Sequence, residues 1–336
     1  MKYLKKVAYY IYLIIVCLGV SEVMYRWQLL DFYKAELNTL NSPNIKSSKP
    51  YLCVYGDSFS ASSKSYVQIL RDSLKSFQVI NHAIPGTGIE EANAIIASRQ
   101  QIFPSSIMVY QIYVGNDLVN IRKQTAWEHL SFFKNCYYTI SNHLKFVEWL
   151  NYKLSQKAFF ARFKKQIGVD NSRYNDDFFS PQFFSPYEKQ LLVSEQNLIE
   201  NSVIPLGKRA EDVQKLIDEL DYFVKVSLKT AQKLYILVYP HCSQVNDFYQ
   251  DKYRQMGFKI TSNARFMEEE FPLIIQIRHH FKSNSSVEIV NPLKAIREND
   301  TPQNRTYLAN DFHASAWGQE IVGIELVKKI LTKKSL

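Results

Sequence analysis

The sequence predicts an α/β protein built on a doubly wound parallel sheet of about five strands, and three observations carry that prediction. Short β-rich runs recur at 51–55, 77–80, 107–113, 234–239 and 287–290, apolar enough to be buried on both faces. Helical patterns lie between the first three, with Tyr66, Ile69, Leu70 and Leu74, then Ala92, Ile95, Ile96 and Ile102, at spacings of three, four and longer multiples. Glycine is scarce, ten in 336 residues, yet Gly56, Gly86, Gly88, Gly115 and Gly318 fall in three strand-end loops and one carboxy-terminal stretch. Such positions let a chain turn tightly or a ligand approach the backbone.

The amino terminus opens with Lys2, Lys5 and Lys6 and continues into an apolar run of 14 residues, 7–20, with only Glu22 interrupting its continuation to Tyr25. A confident span needs ~18 residues, so a buried soluble helix shows the same pattern. No small-residue cleavage site follows, and Val16 before Cys17 fits a lipoprotein box poorly, so residues 1–26 read as an uncleaved membrane anchor, with a removed signal sequence as the alternative. The three lysines place the amino terminus in the cytoplasm, which makes the chain a single-pass protein of the cell membrane with its bulk extracytoplasmic. Residues 27–50 start with helical spacing and end in Asn, Ser, Pro and Lys, a short helix and a linker. The folded domain is expected over 51–336.

No strand signal occurs between about 120 and 231, far more than a plain crossover needs, so a helical insert is expected at about 120–230. Residues 121–180 carry ten Lys/Arg against five Asp/Glu, interleaved with Phe132, Phe133, Tyr137, Tyr138, Phe146, Trp149, Phe159, Phe160 and Phe163. This reads as a helical subdomain with a solvated basic face, or as a lid or membrane-resting face. Farther on, Val213, Leu216, Ile217, Leu220 and Val224 mark an amphipathic helix over 211–228 that returns the chain to the sheet.

A hydrophobic content of 46% is ample for a core, and the net charge of +9 comes without a stacking motif, zinc finger or dense Lys/Arg block. Nucleic acid is therefore not an expected partner, and an anionic membrane or envelope surface suits the charge better. Cys17, Cys53, Cys136 and Cys242 form no C-x-x-C pair, and His279-His280 has no nearby carboxylate or cysteine, so no metal or other cofactor is expected.

Open parallel sheets bind ligands beyond the carboxyl ends of their strands, where four stretches concentrate polar residues. Gly56-Asp57-Ser58-Phe59 presents a hydroxyl between strand and helix, either as a nucleophile or as a helix-capping turn. In Asn81-His82-Ala83-Ile84-Pro85-Gly86, Gly86 offers an unshielded N–H, although a Pro-Gly turn needs no further role and His82 reads as structural. Gly115-Asn116-Asp117 places an amide at the third strand end, as an oxyanion donor or a strand terminator. Asp311 and His313, two apart, point the same way in extended backbone, so the carboxylate could reach the imidazole. A helix follows, with Ile321, Ile324, Val327 and Leu331 on one face.

Together "GDSF", "NHAIPG", "VGND" and "DFHASAWG", in this order over about 51–330, resemble the four blocks of the SGNH, or GDSL-type, hydrolase superfamily. The resemblance implies a flavodoxin-like sheet, Ser58 as nucleophile, His313 as base and Asp311 as its orienting acid. It also implies an oxyanion hole of the Ser58 and Gly86 N–H groups with Asn116. Phe59 stands where the family usually has Leu, and Val114 where it often has glycine. Asp311 precedes His313 by two rather than three, with Asn310 at the longer spacing.

The function expected from the resemblance is hydrolysis of an acyl ester on a small molecule, glycan or lipid through an acyl-enzyme, with O-acetyl groups of envelope polysaccharide or lipid favoured. Transfer of the acyl group to a sugar hydroxyl is the near alternative. A non-catalytic glycan-binding or assembly role is the distant one, and it leaves the nucleophile and base unexplained.

Overall fold

Val, Ile, Leu and Tyr in the five apolar runs form five strands: β1 (Tyr51–Tyr55), β2 (Gln78–Asn81), β3 (Ser105–Tyr113), β4 (Lys233–Tyr239) and β5 (Val287–Val290). In this computed structural model, which describes residues 2–42, 47–121, 132–154, 178–185, 189, 192–193, 197–205, 208–260 and 263–332, all pair in parallel, in the order β2-β1-β3-β4-β5. The sheet is doubly wound, and its connections reverse direction between β1 and β3, which opens a crevice at their carboxyl ends. Leu52, Cys53 and Val54 of β1 and Leu234, Ile236 and Leu237 of β4 are fully buried, as strands covered on both faces must be. β3 begins at Ser105 rather than Ile107, because ladder bonds continue through polar residues that apolar patterning passes over.

The chain divides into two units. One comprises Met1–Phe32 with Lys123–Asn175, the other Tyr33–Arg122 with Asp176–Leu336. The sheet lies in the second. There α2 (Lys34–Leu40) is followed by Asn41, whose side chain accepts from the Asn81 N–H at 2.8 Å and donates to the Asn81 carbonyl at 2.9 Å. This side chain pairs the otherwise open end of edge strand β2.

α3 (Tyr66–Ser73), α4 (Ile89–Ile102) and α5 (Asp117–Ile121) follow β1, β2 and β3 in turn. All five apolar residues predicted for the returning helix are buried in α9 (Lys208–Ser227), which packs on α4. On α4, Ile102 is exposed, against expectation. Its last turn instead donates from Gln100 to the Ser227 carbonyl. In α13 (Ala316–Thr332) the predicted stripe is also corrected: Ile321, Val322, Leu326 and Ile330 are buried, while Ile324 and Leu331 are exposed. Gly323 sets that rotation, since a Cβ there would stand 2.6 Å from Cβ of Ile69 on α3. Among the described residues between 120 and 231 no strand occurs.

In the other unit, α1 (Lys2–Arg26) is one continuous helix, and its Lys5–Arg26 stretch is long and apolar enough to cross a membrane. Two helices of the insert, α6 (Phe132–His143) and α7 (residues 145–154), belong to the same unit. Phe132 and Tyr137 are exposed. The predicted aromatics Phe159, Phe160 and Phe163 lie outside the described residues.

Candidate active site

The turn after β1 is built by Asp57. Its carbonyl accepts from the N–H groups of Ser60 and Ala61, and its Oδ1 accepts from the Phe59 N–H at 2.9 Å. Gly56 precedes it because a Cβ there would meet Gln111 Oε1 at 2.5 Å. Ser58 thereby stands half-buried on the turn, and its own N–H has no acceptor among the described residues.

The carboxy-terminal stretch is closed by an antiparallel bridge between Tyr307 and Ala314 and by the bond from the Leu308 N–H to the His313 carbonyl at 3.0 Å. Inside it, Asp311 Oδ1 accepts from the His313 N–H at 2.9 Å and meets His313 Nδ1 at 2.5 Å. The imidazole Nε2 lies 2.8 Å from Ser58 Oγ. Ser58, His313 and Asp311 are thus joined in one hydrogen-bonded chain. Asn310 does not compete, because its amide accepts from the Ser180 N–H at 2.8 Å and donates to the Phe178 carbonyl at 2.9 Å.

Aromatic packing holds the imidazole plane. Phe312 stacks on it with centroids 4.3 Å apart, and the fully buried Phe59 lies 5.0 Å away while also packing on Tyr113 and Tyr239. Burial alone would pull His313 down, but the hydrogen bond and charge of Asp311, with the charge of Asp57, hold its pKa above the ordinary 6.5. Burial opposes ionisation of Asp311 too, yet His313 keeps its carboxyl below the usual range.

Asn116 is buried at the end of β3, and its Nδ2 donates to Asp57 Oδ2 at 3.1 Å, leaving the second Nδ2 proton without an acceptor among the described residues. Gly86 sits in the left-handed region with φ +73°, where glycine is favoured, and its N–H also has no acceptor among the described residues. The Gly86 loop is tied to the Ser58 turn through the Ile84 N–H, which donates to the Gly56 carbonyl at 2.9 Å.

Asp57 is the residue of this cluster to which the sequence motifs assigned no role. Burial pushes its carboxyl up, opposed by its bonds from Phe59 and Asn116 and by the His313 charge. It bonds Asn116 and lies close enough to His313 to raise it, a double role that becomes visible only once residues 57, 116 and 313 are brought together. Asp117 is buried like Asp57, its carboxyl pushed well up by burial and then by the charge of Asp57, and it accepts from the Tyr113 N–H at 2.6 Å. His82 is packed between Tyr55 and Phe103, away from the chain of three. His280 meets Asp221 at the surface, and among the described residues no group of three His, Cys, Asp or Glu could hold a metal ion.

Beside Asn116 lies a cavity of about 20 Å³ lined by Tyr113, Leu192, Leu198, Ile199 and Phe312. It is apolar and has room for about one water-sized group. A larger cavity of about 360 Å³ beside β2, lined by Lys49, Arg71 and Lys75, includes none of Ser58, Asp311 and His313 in its lining.

The sheet order is 2-1-3-4-5, and all four sequence blocks lie past strand ends or at the start of the last helix. The fold is the one the SGNH resemblance implies. No family model matches the chain, and no curated protein does. Among solved structures, it is similar to an acetylxylan esterase from Geobacillus stearothermophilus at 11% identity and TM-score 0.41, covering 85% of this chain and 96% of that one. It is similar to a GDSL-like lipase from Bacteroides thetaiotaomicron at 11% identity and TM-score 0.40, covering 91% and 100%. It is similar to TesA at 14% identity and TM-score 0.37, covering 84% and 99%.

Proposed function

We propose that the protein is a serine ester hydrolase in which Ser58 is the nucleophile, His313 the general base and Asp311 the group that orients and charges the imidazole. The observation that carries this reading is the continuous chain from Ser58 Oγ to His313 Nε2 at 2.8 Å and from His313 Nδ1 to Asp311 Oδ1 at 2.5 Å. A binding pocket alone has no need of an aligned nucleophile and base.

His313 takes the Ser58 proton as Oγ attacks the ester carbonyl. The carbonyl oxygen, now negative, is met by the N–H groups of Ser58 and Gly86 and by the second Nδ2 proton of Asn116, each worth about 2.7–4 kcal/mol in such a role. His313 then returns the proton to the departing alkoxide, which leaves as the alcohol. Water, deprotonated by the same imidazole, releases the acid from Ser58. A sugar hydroxyl in place of water would make the same intermediate an acyl donor.

The favoured substrate is an O-acetyl ester on an envelope glycan or lipid. The apolar cavity beside Asn116 supports a short acyl group, because its volume admits about one methyl-sized unit. The apolar α1 and its lysine flank support an anchor in the cell membrane with the sheet unit outside the cytoplasm. The test is acetate release from acetylated glycan and from a small acetyl ester. Ser58→Ala and His313→Ala are each expected to lower turnover by about 10⁴-fold or more with the fold intact. Retained turnover in either folded variant overturns the reading.

A further inference from the structure

Burial along α1 is confined to one end. Tyr9, Tyr10, Ile11, Tyr12, Ile14 and Ile15 are exposed, whereas Glu22 and Tyr25 are 8% and 3% exposed. The uncharged stretch between Lys6 and Glu22, residues 7–21, rises about 22 Å at about 1.5 Å per residue, and the long stems of Lys5 and Lys6 extend it toward the ~30 Å of a bilayer's hydrocarbon core. Packing begins where that length ends.

The packed end is a built joint. A carboxylate in an apolar helix is costly unless paired, and Glu22 is paired three times. Its Oε1 accepts from Arg26 Nε at 2.6 Å and from the Lys145 N–H at 3.0 Å, and its Oε2 accepts from the Phe146 N–H at 2.8 Å. The last two are first-turn donors of α7 that have no partner within their own helix. One turn along α1, Arg26 Nη2 donates to the carbonyl of His143, the last residue of α6, at 3.1 Å. Glu22 and Arg26 therefore satisfy the start of one insert helix and the end of the other at a single corner, with complementary charge at each helix end. Tyr25, Phe32, Phe146 and Trp149 pack around it, and Trp149 Nε1 donates to the Phe32 carbonyl at 3.1 Å.

Just beyond the joint, Trp27, Leu29 and Leu30 are 72%, 60% and 55% exposed. We propose that Glu22 and Arg26 lock the α6–α7 corner to the end of a membrane span, and that Trp27, Leu29 and Leu30 lie in the headgroup zone of a phospholipid bilayer. A lipid surface is the occupant because these residues lie one turn past the end of a bare apolar helix, and indole beside leucine is the chemistry of the headgroup zone. The inference rests on α1 as a span and is independent of the hydrolase reading.

The experiment uses the full chain in vesicles of phosphatidylcholine and phosphatidylglycerol. The exposed Cys17 and Cys136 are replaced by Ser, and a nitroxide is placed by Leu29→Cys or, on the exposed surface of the sheet unit, by Asp251→Cys. The Leu29 label is expected to be relaxed by lipid-dissolved oxygen and shielded from a water-soluble nickel complex, and the Asp251 label the reverse. Glu22→Ala is expected to speed amide exchange at residues 145–147 by about fivefold or more. A Leu29 label as open to nickel as the Asp251 label overturns the proposal. So does unchanged exchange in Glu22→Ala, or an intact mass lacking residues 1–26. Acetate release in the same vesicles reports on the hydrolase reading separately.

Discussion

His313 lies between two acids, Asp311 in contact and Asp57 nearby, and this arrangement sets a pH dependence. A general base acts only when neutral, so kcat/KM is lost as pH falls through the imidazole pKa, and that midpoint is expected above 6.5. Asp311→Asn removes the charge and leaves burial, which moves the midpoint down and lowers kcat by about 10⁴-fold. Asp57→Asn withdraws the carboxylate that holds Asn116. It is expected to lower kcat by up to about 10²–10³-fold with little change in KM and to shift the acid limb downward. A purely structural Asp57 would leave the pH profile in place. Ser58 and His313 were legible from short ordered motifs, and Asp311 was legible because a two-residue spacing puts both side chains on one side. The bond between Asp57 and Asn116 was not, because it joins residues 59 apart that only the sheet brings together.

Strands carry a plainer signal than the last helix. Runs such as 234–239 are apolar on both faces and read directly, whereas α13 contacts α3 through Gly323, which periodic counting of large apolar residues skips. Gly323→Ala therefore places a methyl against Ile69 and is expected to cost about 1–3 kcal/mol, read as a lower denaturant midpoint at unchanged slope. Gln319 strengthens the same contact, bonding the Tyr66 N–H at 3.0 Å and the Phe59 carbonyl at 3.1 Å. The short helix α8 (Leu198–Val203) brings Leu198 and Ile199 to the cavity beside Asn116. Leu198→Ala is expected to raise the butyryl-to-acetyl ratio of kcat/KM by about tenfold or more, since one methylene in an apolar pocket is worth ~10–200-fold. An unchanged ratio would remove this cavity as the acyl site. That placement was not legible, because Leu198 reads in sequence as one more apolar residue in a strandless insert.

At the scale of the whole chain, the two units make different demands on the amino terminus. Deleting residues 1–26 removes Glu22, Tyr25 and Arg26 from the corner they cap, so limited proteolysis is expected to cut within 132–154 while the sheet unit keeps its thermal transition. The interrupted apolar run marked in sequence a helix long and apolar enough to cross a membrane, with Glu22 as its one interruption. Only its bonds to Lys145 and Phe146, more than a hundred residues away, give that charge a purpose. The measurement that tests the central claim most directly is fluorophosphonate labelling of the full chain in detergent, followed by peptide mass spectrometry. The account predicts one adduct, on Ser58, that is lost in folded His313→Ala. A well-folded protein that takes no label, or takes it on another serine, would contradict it.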